Sequence, residues 1–141
     1  MSARHDPAAP ALAHRFERDT LAAGLARHAP RGAVRVAEAL AATAMNRRRR
    51  AQRLWGEILA EGPPRFDAVF TGLPEQPVST RADAAWNAAC RRIAARALSG
   101  AGADPTAGAT AAAPLDLPAP AETPFLAARI GPYAFYRGDT G

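Results

Sequence analysis

The chain has no lysine, one cysteine, three histidines and only 6% aromatic residues, and each shortage removes a class of chemistry. Cys90, being alone, can form no internal disulfide and leaves no zinc-type ligand spacing. His5, His14 and His28 are scattered, with no ligand pair at helical spacing, so no metal or other cofactor is expected. No apolar run approaches 18 residues, which argues against a membrane-spanning helix. The segment Met1 to Pro10 has no apolar run behind a basic start, so no secretory signal is read. A cytoplasmic protein is therefore expected, acting in the periplasm or cell wall only if exported by other means. The sequence also lacks a phosphate-cradling glycine loop, a nucleophile elbow and any internal repeat.

What remains is dominated by alanine, 38 of 141 residues, with 18 arginines, 13 prolines and 11 glycines. Alanine is the strongest helix former, and larger apolar residues are few, so a small and largely helical core is expected. The net charge of +5 and a pI near 10.9 fit an anionic polymer as partner. The joint excess of Ala, Arg, Pro and Gly is also what GC-rich coding DNA produces, which weakens nucleic acid as the explanation of the charge.

Residues 1 to 15 are Pro- and Ala-rich and are expected to be a disordered N-terminal segment, followed by one domain over 16–138. A first helix is expected from Phe16 to His28, with Phe16, Leu21 and Leu25 on its apolar side, broken at Pro30-Arg31-Gly32. A second starts near Ala33 and ends in Asn46 followed by Arg47 to Arg50, read as a solvated collar at the negative end of the helix dipole. Leu54 to Leu59 is a separate short apolar segment. The clearest helix runs from Thr80 to Leu98, with Thr80 and Asp83 at capping-box spacing. Its buried stripe is Trp86, Cys90, Ile93 and Ala97, and Gly100 ends it. Five prolines between Ala101 and Pro124 exclude a helix there, and Phe125 to Arg137 has the composition of one or two short strands. The fold class is thus mainly α with a short β element, an α+β single domain.

Three segments carry a resemblance. Glu38 to Arg47 is a helix ending in an apolar residue followed by Asn46-Arg47. Ala97-Leu98-Ser99-Gly100 is followed by Asp104-Pro-Thr-Ala-Gly-Ala-Thr110. Ile130-Gly-Pro-Tyr-Ala-Phe-Tyr-Arg137 closes the chain. In this order they resemble the SleB-type cell wall hydrolases, over about residues 20–137. The resemblance implies a lysozyme-like fold and cleavage of peptidoglycan glycan strands, by hydrolysis or as a lytic transglycosylase. Such chemistry needs a carboxylic acid that protonates the glycosidic oxygen, kept protonated by apolar burial.

Counted back without a gap from Asn46-Arg47, the family's catalytic glutamate position falls on His28. The aromatic and His residues that follow the family's Gly-Ala-Thr are replaced by Ala111 to Ala113, and its closing His by Tyr133. An imidazolium titrates in a useful range but lacks the negative charge that would stabilise an oxocarbenium ion. A degenerate hydrolase is therefore expected. The resemblance places Phe66, Thr110, Tyr133 and Tyr136 at the substrate cleft, where tyrosine rings could stack on sugars. Glu57, Glu61 and Asp67 are the carboxylates that could substitute for the acid. One alternative is a non-catalytic peptidoglycan-binding or structural accessory protein, phage- or secretion-associated. The less favoured one is a basic nucleic-acid binder using Arg47 to Arg50 and Arg53, which lacks interleaved aromatics.

Overall fold

The computed structural model describes residues 8–55, 69–77, 82–121 and 123–138, with side chains over 15–50, 69–77, 83–121 and 123–138. Three helices precede three strands: α1 (Ala8–His28), α2 (Val34–Trp55), α3 (Ala82–Leu98), β1 (Ala111–Pro114), β2 (Phe125–Ile130) and β3 (Tyr133–Arg137). The strands form one antiparallel sheet in the order β1-β3-β2. This is the expected α+β class in a small single domain, with a larger β element than composition suggested. Phe125 to Arg137 supplies the hairpin β2–β3. The extra strand is Ala111–Pro114, which pairs with Pro114 opposite Tyr133 at its end. As an edge strand, β1 tolerates a proline, which cannot donate to a ladder.

The hairpin turns on Gly131 and Pro132. Gly131 has φ +58°, and Pro132 holds a negative φ, the pattern of a type II′ turn whose twist matches the flanking strands. A Cβ at Gly131 would also approach Val36 Cγ2 to 2.5 Å, so the turn sits directly on α2.

Alanine sets the spacing of the helices. Ala37, Ala39, Leu40, Ala41, Thr43 and Ala44 are all buried, so α2 is enclosed around most of its girth. Thr43 satisfies its hydroxyl by donating to the Ala39 carbonyl at 2.8 Å. On α1, Leu21 and Leu25 are fully buried, but Phe16 is 73% exposed and does not belong to the apolar face expected of it. On α3 the deepest stripe is Trp86, Cys90 and Ala94, a strict i, i+4, i+8 row, with Ile93 and Ala97 flanking it half-buried. Burial pushes the Cys90 thiol up to about 12, as suits an inert core residue.

Helix ends follow local chemistry. Gly100 takes φ +80°, and the amides of Ala101 and Gly100 donate to the Arg96 and Ala97 carbonyls at 2.9 and 3.1 Å. That pair of bonds is the Schellman ending, which needs a left-handed residue after the helix. Thr80, the expected cap of α3, lies outside the described residues, and the Asp83 carboxylate accepts from Arg31 Nε at 2.7 Å. The α2 helix does not stop at the arginine run. It continues to Trp55, because Arg is a good helix former and no Gly or Pro intervenes before Gly56.

That run is also not a purely solvated collar. Arg48 is 15% exposed and forms a bidentate pair with Glu17 of α1, at 3.0 and 3.2 Å. Arg47 donates to the Thr110 carbonyl at 3.4 Å, and Arg49 to Asn46 Oδ1 at 2.7 Å. Arg47 and Arg48 tie the end of α2 to its neighbours, and Arg49 bonds within the helix.

Candidate functional site

The residues that carry the resemblance come from opposite ends of the chain and meet at the C-terminal half of α2. Asn46 Nδ2 donates to Asp104 Oδ2 at 2.9 Å and to the Ala109 carbonyl at 3.1 Å. Asp104 in turn organises its own loop. Its Oδ1 accepts from the Thr106 amide at 2.8 Å and the Thr106 hydroxyl at 2.5 Å, and its Oδ2 from the Gly108 amide at 3.0 Å. Burial alone would raise the Asp104 pKa, but these bonds together with that from Asn46 hold its carboxyl below the ordinary value. Ala107 adopts φ +54° and Gly108 φ +88°, so the Asp-Pro-Thr-Ala-Gly segment is a tight left-handed loop clamped by one carboxylate.

The loop delivers its end to the sheet. The Thr110 amide donates to the Tyr136 carbonyl at 2.9 Å, and Arg137 Nη1 to the Ala107 carbonyl at 3.3 Å. Asn46-Arg47, Asp104 to Thr110, and the β3 strand are thus one hydrogen-bonded unit.

His28 ends α1 near the other end of β3, at Tyr133. It is 9% exposed, and its Nδ1 lies 3.1 Å from the Pro74 carbonyl. Its ring stacks on Phe70 at a centroid distance of 5.2 Å and an interplanar angle of 11°. Gly24, one turn earlier on α1, makes room for that ring, since a Cβ there would overlap Phe70. The Tyr133 hydroxyl donates to the His28 carbonyl at 2.5 Å, satisfying one of the carbonyls a helix end leaves unpaired. Tyr133 is 1% exposed, and burial raises its phenol pKa.

Of the residues expected at a cleft, His28, Thr110, Tyr133 and Tyr136 are all buried, and the His28 ring and the Tyr133 hydroxyl are engaged within the fold. Tyr133 and Tyr136 sit on β3 at 1% and 8% exposure, and Tyr133 belongs to the hydrophobic core. Phe66, Glu57, Glu61 and Asp67 lie outside the described residues. The residues missed from sequence are Gly24, Phe70 and Pro74, which form the seat of His28. Gly24 within a helix of good formers was the available signal, because a helical glycine often marks close packing. Among the described residues no three His, Cys, Asp or Glu side chains are grouped to hold a metal. No described helix is long and apolar enough to cross a membrane. No family model, curated protein or solved structure matches the chain.

Proposed function

We propose that the chain is a divergent SleB-type protein that associates with peptidoglycan glycan strands and has lost strand cleavage. The observation that supports this reading is the convergence of the three resembling segments: Asn46, Asp104 and Thr110 are bonded to one another and to β3. The environment of His28 agrees with a former acid site. An aromatic wall and a backbone acceptor are the surroundings that would keep a carboxyl group protonated. With imidazole in that seat, the position where the resemblance puts the acid holds no carboxyl group.

A second reading, a non-catalytic accessory protein that retains the fold for a structural role, is favoured by the burial of Tyr133 and Tyr136. Nucleic-acid binding is less favoured, because Arg48 of the arginine run is held in an ion pair with Glu17 and is 15% exposed. Co-sedimentation with purified sacculi separates these readings. The proposal expects saturable binding at physiological salt and no retention on DNA there, since phosphate contacts weaken steeply with salt. Absence from the sacculus pellet leaves the structural role, and DNA retention at physiological salt supports the basic nucleic-acid binder.

A further inference from the structure

Helices α1 and α3 border an open groove of about 560 Å³ that does not include His28. Four arginines line it, and two are already answered. Arg18 pairs with Asp19 at 3.0 Å and Arg31 with Asp83 at 2.6 Å. Arg27 and Arg91 line the same groove, both exposed, and neither has an ion pair or side-chain hydrogen bond among the described residues. The groove thus carries an excess of two positive charges in a volume within the usual range for small-molecule sites.

Its inner wall is apolar. Ala22, Ala26 and Trp86 form it, and Trp86 is 5% exposed with its Nε1 buried and without a partner among the described residues. Guanidinium groups match carboxylates in geometry as well as charge. An apolar wall behind them favours a ligand with a hydrocarbon body over a bare inorganic anion.

We infer that the α1–α3 groove binds a small organic acid, its carboxylate taken by Arg27 and Arg91 and its apolar body laid against Ala22, Ala26 and Trp86. This site is independent of the glycan reading and uses none of its residues.

The test is titration of the full chain with 4-phenylbutyrate, followed by amide and indole NMR shifts, with phenylbutanamide and inorganic phosphate as controls. Phenylbutyrate should saturate at millimolar concentration and shift signals of Arg27, Arg91 and the Trp86 indole, while the neutral amide should not bind. The double variant R27Q/R91Q should weaken binding by about tenfold or more without lowering the melting temperature. R92Q, on the other flank of α3, should bind as the parent does. Equal binding of phosphate would overturn the organic-acid assignment. Absence of saturable phenylbutyrate binding, or binding indifferent to R27Q/R91Q, would overturn the site.

Discussion

Tyr133→Phe removes a single oxygen from a side chain that is 1% exposed, and that oxygen bridges the last strand to the end of α1. The ring and its packing stay, so no cavity of consequence forms. What is lost is the bond to the His28 carbonyl, and water cannot readily replace a donor at so enclosed a site. A buried polar group left without its partner costs about 1–3 kcal/mol, against about 0.5–1.5 for a typical net hydrogen bond. The upper part of that span applies here, because the His28 carbonyl is one of the helix-end acceptors with no intrahelical partner. For a domain of this size the melting temperature should fall by roughly 3–6 °C per kcal/mol. Urea unfolding and calorimetry measure it, with Tyr133→Ala as the larger reference at about 3–5 kcal/mol. The alkaline limb gives a second reading. Burial raises the folded phenol pKa above its unfolded value near 10.0, so wild-type stability should fall as pH rises through the folded value. Y133F should be flatter there. A Y133F protein within about 0.3 kcal/mol of wild type would refute the reasoning, since that is the level of ordinary surface substitutions.

Further outcomes are expected elsewhere. Because the folded Asp104 pKa is depressed, its stabilisation should be present above the unfolded value near 3.8 and lost as pH falls through the folded value; D104N should lose stability at pH 7 and show a weaker acid slope in urea titrations. The Glu17–Arg48 pair should show a coupling of about 1–2 kcal/mol in a double-mutant cycle, above the usual exposed pair because it is bidentate and half-buried. Cys90, fully buried with its thiol raised to about 12, should resist a disulfide-exchange reagent at pH 8 in the native state and react only on unfolding.

Local chemistry made much of the fold legible. The stripe on α3, the Gly100 ending and the strand character of Phe125 to Arg137 all follow from periodicity, a left-handed glycine and aromatic composition. Strand β1 was hidden because Ala-Ala-Ala-Pro has no strand propensity of its own and is held by pairing with β3. Phe16 misled for the opposite reason: it fits the apolar period of α1, but among the described residues it is left 73% exposed. The arginine run looked like a solvated helix end because charge repulsion is visible in sequence and tertiary partners are not. Glu17 lies 31 residues from Arg48 and carries no mark of the pairing. At the candidate site, the stretch holding Asp104 was readable as non-helical from its prolines, whereas the seat of His28 was not readable. Phe70 and Pro74 are 42 or more residues downstream, and only the folded chain brings them to the ring.

The central claim is that a carboxyl group is missing at His28, and muropeptide release from purified sacculi tests it most directly. The account predicts no soluble product above background from the wild-type chain. His28→Glu would place a carboxyl group against Phe70 and the Pro74 carbonyl, and release should rise by about tenfold or more, equivalent to about 1.4 kcal/mol of barrier. Robust release by the wild-type protein that His28→Ala abolishes would contradict the account, because imidazole would then be serving as the acid. Robust release indifferent to His28 would contradict it as well, and would move the search to Glu57, Glu61 and Asp67.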